Sequence, residues 1–346
     1  MQNSVLQPVE RHRRNKLGKR ALPLLALAFL LAAASLVASE HWALAHARSQ
    51  PAPSLPALRP QAAPHLALER LQAAAVEQER SAEAPFAPGV PLLSAGAPLL
   101  EHALRLPLSA PAAILVNART GAILWARHMH EERPIASTTK IMTGLLAIEH
   151  LPLTKTIWIN PIVPDVALNR EGLRTGERVP VWKLLYGLLL FSGNDDALAL
   201  AIGTSGSRGA FLELMNEKAR ELGLHETHFT SPSGVVDRGN YSSAYDLAAL
   251  TRYAMGLSEF RAIVRTPIEH VKWSPPTYAK TYVNRNQLLG SYPGADGVKT
   301  GWTTLAGHCL VASARRGRRS LIAVVLHSTN PYGDVRRLLN FGFANS

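Results

Sequence analysis

Cysteine is nearly absent from this chain of 346 residues: Cys309 stands alone. That excludes an intramolecular disulfide and any zinc or iron–sulfur cage built from cysteines, so stability has to come from packing. Acidic residues are the minority, 25 against 37 Lys and Arg, for a net charge of +12. The excess is spread out, since residues 1–108 carry 11 basic and 7 acidic side chains and the remainder supplies the rest. A nucleic-acid reader gathers Lys and Arg on one helix or stripe with aromatic partners. Here the only dense basic runs are the N-terminus and Arg315 to Arg319, and Arg315-Arg316-Gly317-Arg318-Arg319 reads as a solvated hairpin tip, so no nucleic-acid partner is expected. Long apolar runs are also scarce: one stretch, Ala21 to Ala38, is free of charge. With 47% hydrophobic and 18% charged residues, what remains suits one substantial globular domain with extra sequence attached.

Arg11, Arg13, Arg14, Lys16, Lys19 and Arg20 precede that apolar run, the arrangement that sends the following chain outward across a membrane. Its 18 residues fall between the core of a signal peptide, about 7 to 15 residues, and a membrane helix of about 20. Cleavage after Ala45 or Ala47 and retention as an anchor are both open, with the long basic leader favouring an anchor. Residues 48–108 hold ten of the 24 prolines among Ala-rich patches and read as a tether, with a helix expected from His65 to Arg80 through Leu66, Leu68, Leu71 and Val76. The organisation expected is therefore an export or anchor segment over 1–47, a linker over 48–108 and a catalytic domain over 109–346.

From Ala112 the pattern changes. Ala112 to Val116 and Ile123 to Ala126 are strands around the turn Asn117 to Gly121, a hairpin that opens a sheet. A helix starts near Ser137, with Ile141, Met142, Leu145, Leu146 and Ile148 at helical spacing. Further helices are expected over Val181 to Leu190, Asp195 to Ile202, Ala210 to Leu222 and, behind the Ser243/Asp246 cap, Ala244 to Met255. Val298 to Trp302, His308 to Ala314 and Leu321 to His327 return as strands, and Val335 to Phe343 closes as a helix. Strands at both ends and helices between them give an α+β plan with an antiparallel sheet.

Three polar clusters sit on these elements. Ser137-Thr138-Thr139-Lys140 puts a hydroxyl at a helix start and an amine one turn on, so the amine can take the hydroxyl proton if burial or a second cation, with Lys299 the candidate, lowers its pKa. Ser192-Gly193-Asn194 falls between two helices, and Gly297 to Trp302 is a strand bearing Lys299 and Thr300, with Gly301 where a side chain would obstruct an approaching ligand backbone. Singly the first two read rather as a helix cap with a surface lysine and a loop cap, and the third equally as an edge strand guarded by a lysine. Together S-x-x-K, S-x-N and K-T-G appear in that order, 55 and 107 residues apart, on a helix start, a loop and a strand.

From Ala112 to Phe343 the sequence resembles the D-alanyl-D-alanine carboxypeptidases, the low-molecular-mass penicillin-binding proteins of the S11 peptidase type. The resemblance rests on Pro134 to Thr143, on Leu185 to Leu190 leading into Ser192-Gly193-Asn194, on Phe211 to Phe229 and on Gly294 to Ala314. It implies a β-lactamase/transpeptidase-like fold, a five-stranded antiparallel sheet packed against a mid-chain helical cluster. It implies Ser137 as acylated nucleophile, Lys140 as base, Ser192 as proton relay and Asn194 as the group that orients Lys140 and the substrate amide. Lys299 and Thr300 would hold the substrate's terminal carboxylate beside Gly301, and the amides of Ser137 and Trp302 would form the oxyanion hole. No metal or cofactor is implied. The partners implied are a peptidoglycan stem peptide ending in D-Ala-D-Ala, β-lactams as inhibitors and, through the N-terminal segment, the outer side of the cytoplasmic membrane.

Relatives often add a carboxylate-binding arginine beyond the last strand, and Arg336 and Arg337 are the approximate matches. The chain ends 45 residues after Gly301, where many relatives continue into a β-rich domain and a C-terminal anchor, so N-terminal attachment is implied. A β-lactamase, a non-catalytic penicillin-binding sensor and a membrane-tethered structural protein are the rival readings. The first lacks S-D-N and a placeable deacylating glutamate, since Glu213 reads as a solvated helix face. His128 and His130, on one strand face, read as surface polar residues rather than a metal pair. Asp195 and Asp196 read as helix N-terminal charges, Asp237 as turn, Asp246 as cap and Cys309 as a buried small hydrophobe.

Overall fold

The computed structural model describes residues 65–81, 92–94, 106–235, 239–272 and 279–345. The N-terminal apolar run and Asp237 lie outside them, and among the described residues no helix is long and apolar enough to cross a membrane. Five strands form the central antiparallel sheet: β1 (Ala112–Asn117), β2 (Ile123–Arg127), β9 (Ala295–Thr303), β10 (Gly307–Arg316) and β11 (Arg319–Ser328), in the order β2-β1-β11-β10-β9. The expected hairpin turns because the Asn117 side chain accepts hydrogen bonds from the Arg119 and Thr120 amides at 3.0 and 3.1 Å, a local substitute for ladder pairing.

Both faces of the sheet are covered, which is why β1 and β11 read as nearly unbroken apolar runs instead of alternating ones. Ile114, Val116, Ile322 and Val324 face the helical layer, while Leu115, Ala323 and Val325 face the C-terminal helix α8 (Pro331–Asn345) through Val335, Leu338 and Leu339. Packing there is close enough that a methyl group on Gly342 would lie 2.7 Å from a Leu321 methyl.

The helical layer comprises α2 (Lys140–His150), α3 (Val181–Tyr186), α4 (Asn194–Ser205), α5 (Arg208–Glu221), α6 (Ala244–Ala254) and α7 (Ser258–Val264). The last of these, and the small two-stranded sheets β3 (Arg133–Pro134) with β6 (Tyr241–Ser242), β4 (Thr156–Trp158) with β5 (Arg178–Pro180), and β7 (Ile268–Val271) with β8 (Lys280–Val283), carry too little periodicity to announce themselves. The helix expected from His65 is α1 (His65–Ser81), and it packs on α7. Its buried residues include Ala67 and Leu71, Val76 is exposed, and Arg70 forks onto Glu269 at 3.2 and 2.9 Å. Arg315 to Arg319 is the exposed β10–β11 turn, with Arg316 stacked on Tyr292 and Phe343. His128 and His130 lie past the end of β2 rather than on a strand; His130 meets Glu226 at 3.2 Å, and Glu213 is exposed on α5.

One polar cluster holds the closing helix to the sheet. Buried Asp334 accepts hydrogen bonds from the Ser109 amide and hydroxyl, the Ala110 amide and the Ser328 hydroxyl, at 2.7 to 3.1 Å. Burial pushes its pKa up, but those bonds outweigh it and hold the carboxyl below its ordinary 3.8. A lowered carboxylate stabilises at pH above its unfolded value, and that contribution disappears as pH falls through the folded one. Asp334→Ala should cost about 3 kcal/mol in urea unfolding at neutral pH, with the difference from wild type shrinking below pH 3.8.

Candidate active site

The Ser-x-x-Lys segment does not begin as a regular helix. Ala136–Thr139 is a 3-10 turn that runs into α2, and Ala136 sits in the left-handed region at φ 48°. A non-glycine residue there costs about 1–2 kcal/mol, strain of the kind tolerated where surrounding packing over-determines the backbone. The Thr138 hydroxyl closes the turn onto the Ile135 carbonyl at 2.6 Å. The turn faces Ser137 into a cleft of about 770 Å³.

Lys140 is fully buried beneath it. Its Nζ lies 3.1 Å from Ser137 Oγ, 2.8 Å from Asn194 Oδ1 and 3.1 Å from the Ser233 carbonyl oxygen. Asn194 is fixed with that oxygen forward because its Nδ2 donates to the Ala167 carbonyl at 3.0 Å. Two of the three neighbours can therefore only accept. A neutral amine has two N–H bonds and one lone pair, so with Asn194 and Ser233 taking the two protons the lone pair is left pointing at the Ser137 hydroxyl. Burial first, then the charge of Lys299, and more weakly Arg285, lower Lys140 well below 10.5; Asp196 opposes them. Lys299, buried on β9 with its Nζ 3.0 Å from the Thr300 carbonyl, is itself brought down to about 7 by burial and then by Arg285.

Ser192 reaches the cleft through an irregular backbone. The apolar run after α3 continues as a wide π turn, Gly187–Phe191, and Ser192 ends it in the left-handed region at φ 70°. Leu188, Leu189 and Leu190 are all buried, so the segment is core on every side and delivers the serine from within. Asn169 clasps this turn, donating from Nδ2 to the Phe191 and Ser192 carbonyls at 3.0 and 2.7 Å.

β9 is the terminal strand of the sheet, and its outer edge lies against the Ser137 turn. A methyl group on Gly301 would lie 3.1 Å from the Ser137 amide nitrogen and 3.0 Å from the Ile135 carbonyl. The missing side chain keeps the space beside that N–H free. Thr300, Gly301 and Trp302 line the cleft with Ser137 and Ser192, and Trp302 is 58% exposed at its rim. Lys140, Asn194 and Lys299 lie in the buried layer behind.

Several contributors escape a reading of the sequence. The Ser233 carbonyl is delivered by the turn Ser231-Pro232-Ser233-Gly234, which Asn240 ties down through bonds to the Thr230 and Ser231 amides and to Thr139 Oγ1. Pro and Gly mark a turn there, but nothing local says what it faces. The expectation for a carboxylate-binding arginine needs correcting. Arg336 is engaged with Ser291 and Tyr292 and Arg337 with Asp334, and neither lines the cleft. Arg285 does, held by Asn169 Oδ1 at 2.6 Å and by the Phe191 ring. Asp195 works beyond its own helix, accepting the amides of Glu171, Gly172 and Leu173 at 2.7 to 3.1 Å. Asp246 accepts from the Glu226 amide and Thr227 while Ser243 caps α6, and Cys309 is buried with its thiol pushed up to about 11 by burial.

Comparison with known proteins places this cleft. Residues 101–330 match the family described as Peptidase_S11, D-alanyl-D-alanine carboxypeptidase. The D-alanyl-D-alanine carboxypeptidase DacF of Bacillus subtilis is 37% identical over 244 residues, 68% of this chain and 62% of that one. The D-alanyl-D-alanine carboxypeptidase of Streptomyces sp. K15 is 40% identical over 248 residues, 66% of this chain and 85% of that one. The crystal structure of the Streptomyces K15 DD-transpeptidase superposes with a TM-score of 0.66 at 35% identity, covering 70% of this chain and 99% of that one. The D-alanyl-D-alanine carboxypeptidase structure from Mycobacterium tuberculosis H37Rv gives the same TM-score at 31% identity, over 73% and 97%. With the five-stranded antiparallel sheet, the helical layer and the three motifs converging on one cleft, the chain belongs to the S11 peptidases, the D-alanyl-D-alanine carboxypeptidase family.

Proposed function

We propose that this protein is a serine-type D-Ala-D-Ala carboxypeptidase that removes the terminal D-alanine from peptidoglycan stem peptides through an acyl-Ser137 intermediate. Ser137 Oγ attacks the carbonyl carbon of the penultimate D-alanine as Lys140 Nζ takes its proton. The oxyanion forms beside the Ser137 amide, with the Trp302 amide as second donor. The proton passes from Lys140 by way of Ser192 to the nitrogen of the leaving D-alanine, and water then hydrolyses the ester. Asn194 orients Lys140 and the substrate amide. Lys299, Thr300 and Arg285 hold the terminal carboxylate.

The observation that carries this reading is the Lys140 environment, in which two obligate acceptors leave only the Ser137 hydroxyl to face the amine lone pair. A β-lactam presents the same amide and carboxylate and is the inhibitor expected. The N-terminal apolar run supports a site of action outside the cytoplasmic membrane, with the segment either removed or kept as an anchor.

Fluorescent penicillin provides the test. Wild type should be labelled and should release D-alanine from a stem pentapeptide, and Ser137→Ala should do neither. Labelling without D-alanine release would favour a sensor; rapid destruction of the penicillin would favour a β-lactamase.

A further inference from the structure

Behind the cleft lie two acids that the chemistry above does not use. Asp196, in the first turn of α4, is fully buried, and Glu171, on the loop that walls the cleft, is 9% exposed. Among the described residues no N–H or hydroxyl donates to either Asp196 oxygen or to Glu171 Oε2. What these oxygens have is each other. A methyl group on Gly187 would lie 2.1 Å from Glu171 Oε2 and 2.5 Å from both Asp196 oxygens, and one on Gly193 would lie 1.9 Å from Asp196 Oδ2. Two glycines thus clear the space in which the carboxyls meet. Neither acid caps a helix, since no backbone amide donates to these three oxygens and the loop amides of Glu171, Gly172 and Leu173 go to Asp195 instead.

Two carboxylates whose facing oxygens have no donor would repel in a dry pocket, whereas one shared proton converts the contact into an O–H···O⁻ bond. We propose that Glu171 and Asp196 are a proton-sharing carboxyl pair that positions the cleft wall, clamping the loop of residues 167–172 onto the Ser192-Gly193-Asn194 turn. The inference rests on the carboxypeptidase reading for the activity it would affect. The loop is mechanically connected to the site. Its Ala167 carbonyl holds Asn194 Nδ2, its Asn169 carbonyl accepts the Asn194 amide at 2.8 Å, and its Asn169 side chain holds both Ser192 and Arg285. The pair acts on substrate only through these residues, so both acids are positioning residues.

The charged and titratable groups facing the pair are Asp195 on α4, Lys140 on α2, Lys183 on α3, and Lys280 and Tyr282 on β8. Tyr282 donates to Glu171 Oε1, and the Lys280 ammonium lies 3.6 Å from that oxygen. Burial raises both acids above their ordinary values; for Asp196 the negative charges of Glu171 and Asp195 push the same way and Lys280 opposes. A carboxyl raised in the folded state stabilises fully below its unfolded pKa and loses that contribution as pH rises through the folded one. The clamp therefore holds in acid and loosens in the alkaline direction.

Infrared spectroscopy and labelling kinetics on the full chain test the pair separately from the reaction. At neutral pH, the wild-type spectrum minus that of Asp196→Asn should contain a protonated-carboxyl C=O band, the same band should be missing in Glu171→Gln, and it should titrate away at higher pH. Asp246→Asn, which removes a distant acid raised to about 7, should leave it in place. Asp196→Ala should lower the rate of fluorescent penicillin acylation at saturation by up to about 100-fold through misplacement of the turn, and Asp196→Asn, which can donate to Glu171, should recover most of it and flatten the alkaline side of the pH profile. Absence of the band from the wild type, or an Asp196→Ala enzyme with the wild-type rate and pH profile, would overturn the pair. Absence of any protonated-carboxyl band at neutral pH in wild type would count against the pair even if every variant misfolded, and a band that is present is assigned to the pair by the difference spectra. A band present in a protein that neither labels nor releases D-alanine would keep the pair and reject the carboxypeptidase reading.

Discussion

Lys140→Met should lower the second-order rate of Ser137 acylation by penicillin by about 10³- to 10⁴-fold while leaving a folded protein, since methionine keeps much of the stem and removes only the base. The cost in stability should stay near 1–3 kcal/mol, because Asn194 Oδ1 and the Ser233 carbonyl lose their donor. The same environment sets the pH profile. In the proposed mechanism Lys140 acts as the neutral amine, so kcat/KM should fall on the acid side as Lys140 gains its proton. The same mechanism has Lys299 hold the carboxylate as a cation, and with its pKa brought down to about 7 by burial and Arg285, kcat/KM should also fall as pH rises through about 7. A bound carboxylate restores Lys299's charge, so the alkaline limb of kcat should lie at higher pH than that of kcat/KM. Lys299→Arg, which stays protonated, should move the alkaline limb of kcat/KM upward. Stopped-flow measurement of acylation from pH 5 to 10 reads all of this. A Lys140→Met enzyme within tenfold of wild type would remove the base from the mechanism.

Gly301→Ala should cost about 10²- to 10³-fold in acylation, the loss expected when one oxyanion donor is blocked. The added methyl would sit 3.1 Å from the Ser137 amide nitrogen, 3.0 Å from the Ile135 carbonyl and 3.2 Å from the Ala136 methyl, occupying the place where the proposed mechanism forms the negative oxygen. These contacts are tight without being impossible, so the melting temperature should move by only a few degrees. Penicillin labelling measured against thermal unfolding separates the two effects. Wild-type labelling by the alanine variant would mean that the oxyanion is stabilised elsewhere.

The extent of foresight follows the range of each interaction. The pairing of Ser137 with Lys140 was legible because residues three apart on a helical turn face the same way whatever surrounds them. The five strands and most helices were legible for a similar reason, since a buried strand has to be continuously apolar and a packed helix has to repeat its apolar face. The local backbone at the motifs was not. The left-handed Ala136 and Ser192 and the π turn before Ser192 contradict local preference and persist only because the core and the clasping Asn169 over-determine them.

Composition, periodicity and three short motifs determined that this chain builds an antiparallel α+β domain with a serine next to an amine. They could not determine which arginine enters the cleft, because Arg285, Arg336 and Arg337 differ only in where distant packing aims them. They could not find the Ser233 carbonyl, a backbone atom without a residue signature that lies 93 positions from the amine it holds. Nor could they tell that Glu171 and Asp196, 25 positions apart and both ordinary surface types, are buried face to face. Charge and hydrogen-bond direction at the site depend on the water excluded and the partners supplied, and those exist only once the sheet edge, the π turn and the wall loop have closed around Lys140.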